Sequence, residues 1–313
     1  MKKTLAILSM LLIAVGCDDS AEIARLRGQV EDLQKQATEP TAEQPNEPTA
    51  EQPTERPQPA PVPSDLPVIE LPSIIKTPDM TFNKIPAGTF LMGSPETEKD
   101  RKDREHQHKV TISKAFYMQT TEVTQGQWKA VMGTEPWKRK YNIKEGANYP
   151  AVYVNWSDAV AYCKKLSEKE GKTYRLPTEA EWEYTCRAGT QTTWSSGNDE
   201  KVLGDYAWHG NANNVGEQLL PYAYQVGLKK PNAFGLYDMH GNVYEWCHDY
   251  YGEDYYKQSP EKDPTGPTSG PHRVLRGGSV SIRVRLTRSA YRLRYIAALR
   301  QDNIGFRLVR ELD

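Results

Sequence analysis

Side chains that commonly carry chemistry are few and thinly spread in this 313-residue sequence. His106 and His108 could form part of a metal site, but they lie in the charged run 96–109, which is typical of a solvated loop. Cysteine, histidine and aspartate stand together at 247–249, yet a catalytic triad is assembled by the fold and not by adjacency. The sequence contains no Gly-rich phosphate loop and no nucleophile elbow. We therefore assign no catalytic residue from the sequence.

A basic stretch between positions 283 and 310 offers a different chemistry, the binding of anions. It holds eight arginines, interleaved with two tyrosines. Such a stretch can line a groove for an acidic or extended peptide, or for a glycan. Alternatively, the guanidinium groups stack on aromatic rings and pair with carboxylates as scaffold. The candidate cleft residues are Arg283, Arg285, Arg288, Tyr291 and Arg292.

The composition narrows the class of protein. With 40 Lys+Arg against 41 Asp+Glu, the formal net charge is −1, which argues against a nucleic-acid partner. The mean hydropathy of −0.74 is low, but the apolar deficit is concentrated in the first quarter of the chain. A sequence with 7 Trp, 18 Tyr, 22 Gly and 22 Pro indicates a loop-rich domain and not a helical bundle.

The first residues have the features of an export signal. Lys2 and Lys3 precede the short apolar segment 5–15, and small residues then lead to Cys17. This arrangement resembles the lipobox of bacterial lipoproteins, which implies a signal peptide at 1–16 and acylation of Cys17. We expect a lipid-anchored protein of the bacterial cell envelope that faces the periplasm or the exterior. The alternative is an ordinary secretory signal with an incidental cysteine.

Two further segments separate Cys17 from the folded domain. In 17–36, Ile23, Leu26, Val30 and Leu33 have coiled-coil spacing, which favours a homo-oligomer formed through 20–36. The alternative is a transient amphipathic helix that lies on the bilayer. Residues 37–79 are Pro-rich and are predicted to be a disordered linker. The globular domain is therefore predicted at 80–313.

Three helix signals stand out within the domain. Capping boxes begin at Thr124 and at Thr178, and Gly133 ends the first of these helices. Ser157 is the predicted N-cap of a further helix, which Gly171 ends. Because Gly, Pro and Asn recur elsewhere, we expect two or three short helices, short strands and long ordered loops.

Eight motifs in a fixed order extend this description: Phe90–Gly93, Thr121–Thr124, Pro150–Trp156, Arg175–Trp182, Asn232–Met239, Gly241–Trp246, Arg276–Ser279 and Gly305–Arg307. Together they resemble the formylglycine-generating enzyme family, also called sulfatase-modifying factors. The resemblance covers essentially all of 80–313. It implies an α+β, loop-rich fold that is a variant of the C-type lectin fold.

The resemblance also implies an activity that this sequence lacks the residues to perform. The family oxidises a cysteine of a client sulfatase with O₂ and a copper(I) ion held by two Cys thiolates. Those thiolates follow the Arg-Gly-Gly-Ser turn, at places occupied here by Ile282 and Thr287. No cysteine follows Cys247, and copper(I) prefers soft sulfur ligands. Copper is therefore not expected, and the domain is predicted to be a pseudoenzyme.

The remaining cysteines also lack the partners that the family resemblance would give them. Cys163 and Cys186 match family positions that form disulfides, but Leu308 and Arg292 stand at the partner places. We expect both to be small buried core residues. A direct 163–186 or 186–247 bridge remains an alternative, and three thiols cannot all pair once Cys17 is acylated.

A calcium site is the other property that the resemblance implies. Side-chain oxygens of Asp238 and Glu245 and main-chain carbonyls of Gly241 and Val243 would bind Ca²⁺. The alternative is that Glu245 and Asn242 only satisfy loop amides. Overall the sequence favours a non-copper binding or regulatory module with a protein or glycan partner. The alternative function is an oxidase of the same family that uses a different metal site.

Overall fold

The computed structural model describes residues 74–77, 80–210 and 222–312. The predicted signal peptide, Cys17, the 17–36 helix and nearly all of the Pro-rich segment lie outside these residues. Every described residue belongs to one compact unit, Pro67–Asp313. A strand at Ile74–Thr77 already pairs with the next strand, so the domain begins before the predicted boundary at residue 80. None of the helices in these ranges has the length and apolarity needed to span a bilayer.

Short elements alternate with long loops. The described strands are β1 (Ile74–Thr77), β2 (Met80–Ile85), β3 (Gly88–Met92), β4 (His108–Ile112), β5 (Phe116–Gln119), β6 (Tyr174–Arg175), β7 (Tyr244–Tyr250), β8 (Arg273–Arg276), β9 (Leu293–Tyr295), β10 (Ile304–Gly305) and β11 (Val309–Arg310). The α-helices are α1 (Gln125–Met132), α2 (Trp156–Glu170), α3 (Glu179–Arg187) and α4 (Glu200–Leu203). Single 3₁₀ turns lie at Asp103–Glu105, Tyr255–Lys257 and Val284–Leu286.

The strands form three sheets whose order does not follow the chain. The largest has the order β1-β2-β5-β11-β6, the second has the order β10-β7-β8-β9, and β3 pairs with β4. The last strand, β11, is antiparallel to both of its neighbours, while β10 runs parallel to β7. The end of the chain therefore completes the central sheet and joins segments that are distant in sequence.

The helices begin where side chains satisfy their first amides. The boxes predicted at Thr124 and Thr178 are both present, and Gly133 ends α1 in the left-handed conformation. The predicted cap of α2 was wrong, because Asn155 and not Ser157 occupies the N-cap. The Asn155 side chain accepts from the Asp158 amide, and the Asp158 carboxylate accepts from the Asn155 amide. Gly171 ends α2 as predicted.

Aromatic packing fixes many of the loops. Trp128 stacks on Tyr162, with ring centroids 5.5 Å apart, and Phe306 meets Tyr162 edge-on. Trp182 and Trp246 are completely buried, and each indole N–H donates to a buried acceptor. The α+β, loop-rich architecture agrees with the fold predicted from the sequence.

Candidate functional site

The turn after β8 carries the two places that the family resemblance assigns to copper ligands. Thr287 is fully buried, and its hydroxyl accepts a hydrogen bond from Trp194 Nε1 at 3.1 Å. Gly278 has a φ of 87°, and a Cβ there would lie 2.8 Å from the Thr287 methyl carbon. Ile282 is half-buried and packs against the main apolar cluster. The two places therefore hold a neutral hydroxyl and a hydrocarbon.

No cysteine compensates for these substitutions in the described part of the chain. Cys163, Cys186 and Cys247 are free and buried, so the expectation that Cys163 and Cys186 are buried core residues is confirmed and neither alternative bridge is present. Burial raises the pKa of the thiols of Cys163 and Cys186 to about 12, and that of Cys247 well above its usual value. The raised pKa values favour the neutral thiols at neutral pH.

A small polar cluster lies at the outer end of the same turn. Ser279 is buried, Ser281 is exposed, and their hydroxyls are 3.2 Å apart. The Asn303 amide group donates to both oxygens at 3.3 Å, while its buried Oδ1 has no partner within the described residues. This cluster can form hydrogen bonds with a ligand that approaches over Ser281.

The predicted arginine cleft divides into two groups, and the buried group corrects the prediction. Arg288 is 1% exposed and holds the Glu105 carboxylate with two bonds of 2.8 Å. Arg292 is equally buried and holds Glu179 with bonds of 2.6 and 2.8 Å. Tyr291 is also buried. These three side chains belong to the interior and are not available to a ligand.

Arg283 and Arg285 remain at the surface, as a cleft requires. Arg283 is exposed and makes no ion pair with the described residues. Arg285 is exposed and lies 3.8 Å from a carboxylate oxygen of Asp100. Ser281, Arg283 and Arg285 are exposed and alternate with the half-buried residues 282 and 284, and we call these three exposed side chains the Ser281 face.

The charged run 96–109 is not simply a solvated loop. Glu105 is fully buried and accepts from Ser94 as well as from Arg288. Glu98 is a second counterion of Arg288, at 2.6 Å, although burial raises its pKa. His108 packs against Tyr256 with ring centroids 4.7 Å apart. The sequence could not show this because Arg288 is 183 residues from Glu105.

The side chains at 247–249 alternate between the two faces of β7. Cys247 and Asp249 are buried, whereas His248 is exposed on β7. Asp249 accepts from the Glu179 amide at 2.9 Å. Because alternate residues of a strand point to opposite faces, these side chains do not form a triad.

Two of the predicted calcium ligands, Asp238 and Glu245, lie near enough for the Glu245 charge to raise the pKa of Asp238. Asp238 is buried with a φ of 61°, and its Oδ2 accepts from the Gly227 amide at 2.7 Å. Burial raises the pKa of Asp238 to about 6 and that of Glu122 well above its usual value. The Glu122 carboxyl is also buried and interacts with Asp238, whose pKa it lowers through a side-chain hydrogen bond. The two carboxyl groups therefore lie beside each other in the interior.

Glu245 is less open to a cation than Asp238. Its Oε2 accepts from Trp182 Nε1 and Arg307 Nε, and its Oε1 accepts from Arg307 Nη2 at 2.8 Å. Each carboxylate oxygen has two lone pairs, so Oε1 retains one. Within the described residues, no three His, Cys, Asp or Glu side chains are grouped around one metal position. A calcium ion here would need the carbonyls of Gly241 and Val243, as predicted.

A cavity of about 680 Å³ lies away from the turn and was missed by the sequence analysis. Its lining comes from 112–116, 175–181, 263–265 and 311–312, together with His248. Phe116 and Ile112 supply apolar surface, and Lys114 and Asp263 supply charges. The volume is within the usual range for small-ligand sites. No local motif could have indicated it, because the lining segments are far apart in sequence.

Curated relatives of this chain include formylglycine-generating enzymes. The Streptomyces coelicolor enzyme is 35% identical over 204 residues, which cover 59% of this chain and 61% of that protein. The chain thus spans about three fifths of that relative's length. The chaperone protein LppX of Paenibacillus barcinonensis is 29% identical over 64% of this chain and 81% of LppX.

Two solved structures are similar to this chain in both fold and sequence. PvdO from Pseudomonas aeruginosa has a TM-score of 0.69 at 32% identity and covers 78% of this chain and 99% of its own. Treponema denticola variable protein 1 has a TM-score of 0.67 at 31% identity, with coverage of 78% and 100%. The model of the sulfatase-modifying factor enzyme 1-like domain matches residues 72–312. The chain therefore belongs to the formylglycine-generating enzyme (sulfatase-modifying factor) family.

Proposed function

We propose that this chain is a non-copper member of its family that binds an envelope protein. A lipid on Cys17 holds it at a membrane of the bacterial envelope, and the folded domain presents the Ser281 face to the partner. The observation that carries this proposal is the burial of Thr287 and the packing of Ile282 at the places of the copper thiolates. A hydroxyl engaged by Trp194 and an isoleucine cannot hold copper(I).

The Ser281 face supports binding without oxidation chemistry. Arg283 and Arg285 are exposed, and so is Ser281, whose hydroxyl accepts from the Asn303 amide group. Such groups recognise an acidic, hydrogen-bonding surface. The similarity to a chaperone protein supports a protein as the partner. A glycan is the other partner class that this face would accept.

Calcium belongs to the proposal as a structural ion. Asp238 and Glu245 would hold it with the carbonyls of Gly241 and Val243, and the burial of Asp238 beside a second carboxyl, that of Glu122, supports this assignment. Its role would be to neutralise buried carboxylates and fix the Asp238–Glu245 loop. The ion takes no part in a reaction.

The first experiment tests the absence of oxidase chemistry. The full chain, purified in detergent, is analysed for bound metals and incubated with a cysteine peptide of sulfatase type, copper(I) and O₂. We expect stoichiometric calcium, no retained copper and no aldehyde product. A formylglycine-generating enzyme treated in parallel is the positive control. Tightly retained copper or an aldehyde would overturn the proposal.

The second experiment tests the binding face. A photo-crosslinking amino acid replaces Ser281 in the full chain, and a control chain carries it at Lys165, which is exposed on α2. In intact cells we expect a defined crosslinked protein from position 281 and not from position 165. The double change Arg283→Glu and Arg285→Glu should reduce this product. Equal capture from both positions, or capture that survives charge reversal, would contradict the assignment.

A further inference from the structure

A tight turn places two serines in front of a buried histidine. The turn runs from Trp194 to Gly197 and is closed by two backbone bonds of 3.1 and 3.0 Å between these residues. Ser195 and Ser196 occupy its central positions, and Ser195 is half-buried. His240 lies behind the turn and is only 2% exposed. A hydroxyl at the edge of solvent is thereby held against an interior imidazole.

The hydrogen bonds of His240 fix which ring nitrogen carries the proton. Its Nδ1 lies 2.9 Å from the carbonyl oxygen of Thr287. Because a carbonyl oxygen can only accept, Nδ1 must be the donor, and Nε2 carries the single acceptor lone pair of the ring, which the Ser195 hydroxyl and amide share. The Ser195 hydroxyl lies 2.9 Å from Nε2 and therefore donates to it. The Ser195 amide also donates to Nε2, at 3.0 Å, and helps to hold the ring in place.

This chain of groups has the order of an activated nucleophile, namely hydroxyl, imidazole base and orienting acceptor. Here the acceptor is a backbone carbonyl and not a carboxylate. It belongs to Thr287, the residue that stands at one of the copper-ligand places of the family. Thr287 therefore orients the imidazole of His240 at a place where the family has a thiolate. The Ser196 side chain offers a built-in comparison, because its buried oxygen has no hydrogen-bond partner in the described residues.

We propose that Ser195 is a nucleophile activated by His240 and that it accepts the acyl group of a carboxylic ester. Ser195 Oγ attacks the ester carbonyl carbon while its proton passes to His240 Nε2. The C–O bond to the alcohol then breaks, and the alcohol leaves with that proton. Water attacks the acyl-serine, gives one proton to Nε2, and releases the carboxylic acid as Ser195 recovers its hydrogen.

This activity is independent of the binding function proposed above, and a test can separate the two. The full chain in detergent is treated with a fluorophosphonate, whose phosphorus forms a bond to an activated serine oxygen as fluoride leaves. Peptide mass spectrometry locates the adduct. We expect it on Ser195, retained in Ser196→Ala and absent from Ser195→Ala. Hydrolysis of p-nitrophenyl acetate should fall to the buffer rate in Ser195→Ala alone.

The histidine is tested separately, because its removal also affects packing. His240→Gln should label roughly 100-fold more slowly, a typical loss for a missing general base. If His240→Gln fails to fold by near-ultraviolet circular dichroism, Ser195→Cys and Ser196→Cys are compared by iodoacetamide alkylation, and Ser195→Cys should react faster. No adduct at Ser195 in the unmodified chain, or equal labelling of both serines, would overturn the proposal.

Discussion

Arginines in the interior act as cross-links between loops. Arg288, Arg292 and Arg307 are each at most 1% exposed, and each makes two or more charge-assisted bonds to a buried carboxylate. Planar guanidinium groups match carboxylates in this bidentate way, which fixes the relative position of two segments. In a domain with few long elements, such pairs hold loops in register. The basic stretch is therefore largely scaffold, and only its exposed members are free for recognition.

This division predicts unequal effects of removing two neighbouring arginines. Arg288→Met leaves Glu105 and Glu98 buried without their counterion, which should cost about 3–5 kcal/mol of unfolding free energy. Arg283→Met should change stability by about 0.5 kcal/mol or less, because Arg283 is exposed. Urea unfolding of both variants checks this. A similar loss in the two would refute the division.

Asp249 should make stability depend on pH. It is fully buried, and burial first, then repulsion by Glu179, raises its pKa well above the usual value. The folded state therefore keeps this proton to a higher pH than the unfolded state. The stabilisation is complete at low pH and is lost as the pH rises through the folded pKa.

Asp249→Asn should remove this dependence. The amide oxygen can still accept from the Glu179 N–H, which donates to Asp249 at 2.9 Å, while the charge is absent. We expect a flatter stability profile between about pH 5 and pH 8 and a higher stability at pH 8, since each unit of pKa shift is worth about 1.4 kcal/mol. Urea midpoints across this range provide the measurement. Parallel profiles for the two proteins would contradict the sign.

Among the secondary-structure elements, helix α2 has two candidate N-caps, Asn155 and Ser157, and only Asn155 should contribute to stability as a cap. Asn155→Ala should cost about 1 kcal/mol, because the first amides of α2 lose an acceptor. Ser157→Ala should be neutral or slightly stabilising, since Ser157 is exposed within the helix and alanine has the higher helix propensity. Chemical denaturation of the two variants gives the comparison. The reverse order of stability would show that Asn155 is not the effective cap.

Local signals explain what could be read from the sequence. The boxes at Thr124 and Thr178 and the stop at Gly133 depend on neighbours within four residues, and all three were predicted. The cap of α2 was misplaced, although Asn155 followed by Asp158 was also a local signal. The place of β11 between β5 and β6 depends on contacts that no local pattern encodes. The same holds for the pairing of Arg292 with Glu179, 113 residues apart.

Motifs explain the part of the site that could be predicted. The Arg276–Ser279 turn located Ile282 and Thr287, and the burial of Cys163 and Cys186 was predicted. His240 gave no sequence signal, because its partners Ser195 and Thr287 come from loops 45 and 47 residues away. The 680 Å³ cavity is likewise assembled from separate segments. Sites of this kind become visible only when the loops are placed.

For the whole molecule, anchoring and recognition are predicted to reside in different parts of the chain. The folded unit contains the Ser281 face and the Ser195–His240 pair, while the predicted anchor is Cys17. The composition of residues 37–67 predicts extended polyproline geometry, which at about 3.1 Å per residue would give a reach of roughly 100 Å. A domain on such a spacer can meet partners at a distance from the membrane, which suits a binding module.

The anchor can be tested without disturbing the domain. Replacing residues 1–17 by a cleavable secretory signal should yield an exported chain in the soluble fraction, whereas the natural chain should remain with membranes. Acyl chains account for the difference, because each buried CH₂ adds about 0.8 kcal/mol of membrane affinity. Mass spectrometry of the natural chain should show an N-terminal peptide that begins at acylated Cys17. An unmodified Cys17, or a signal-exchanged chain that still sediments with membranes, would show that the protein is held by something other than this lipid.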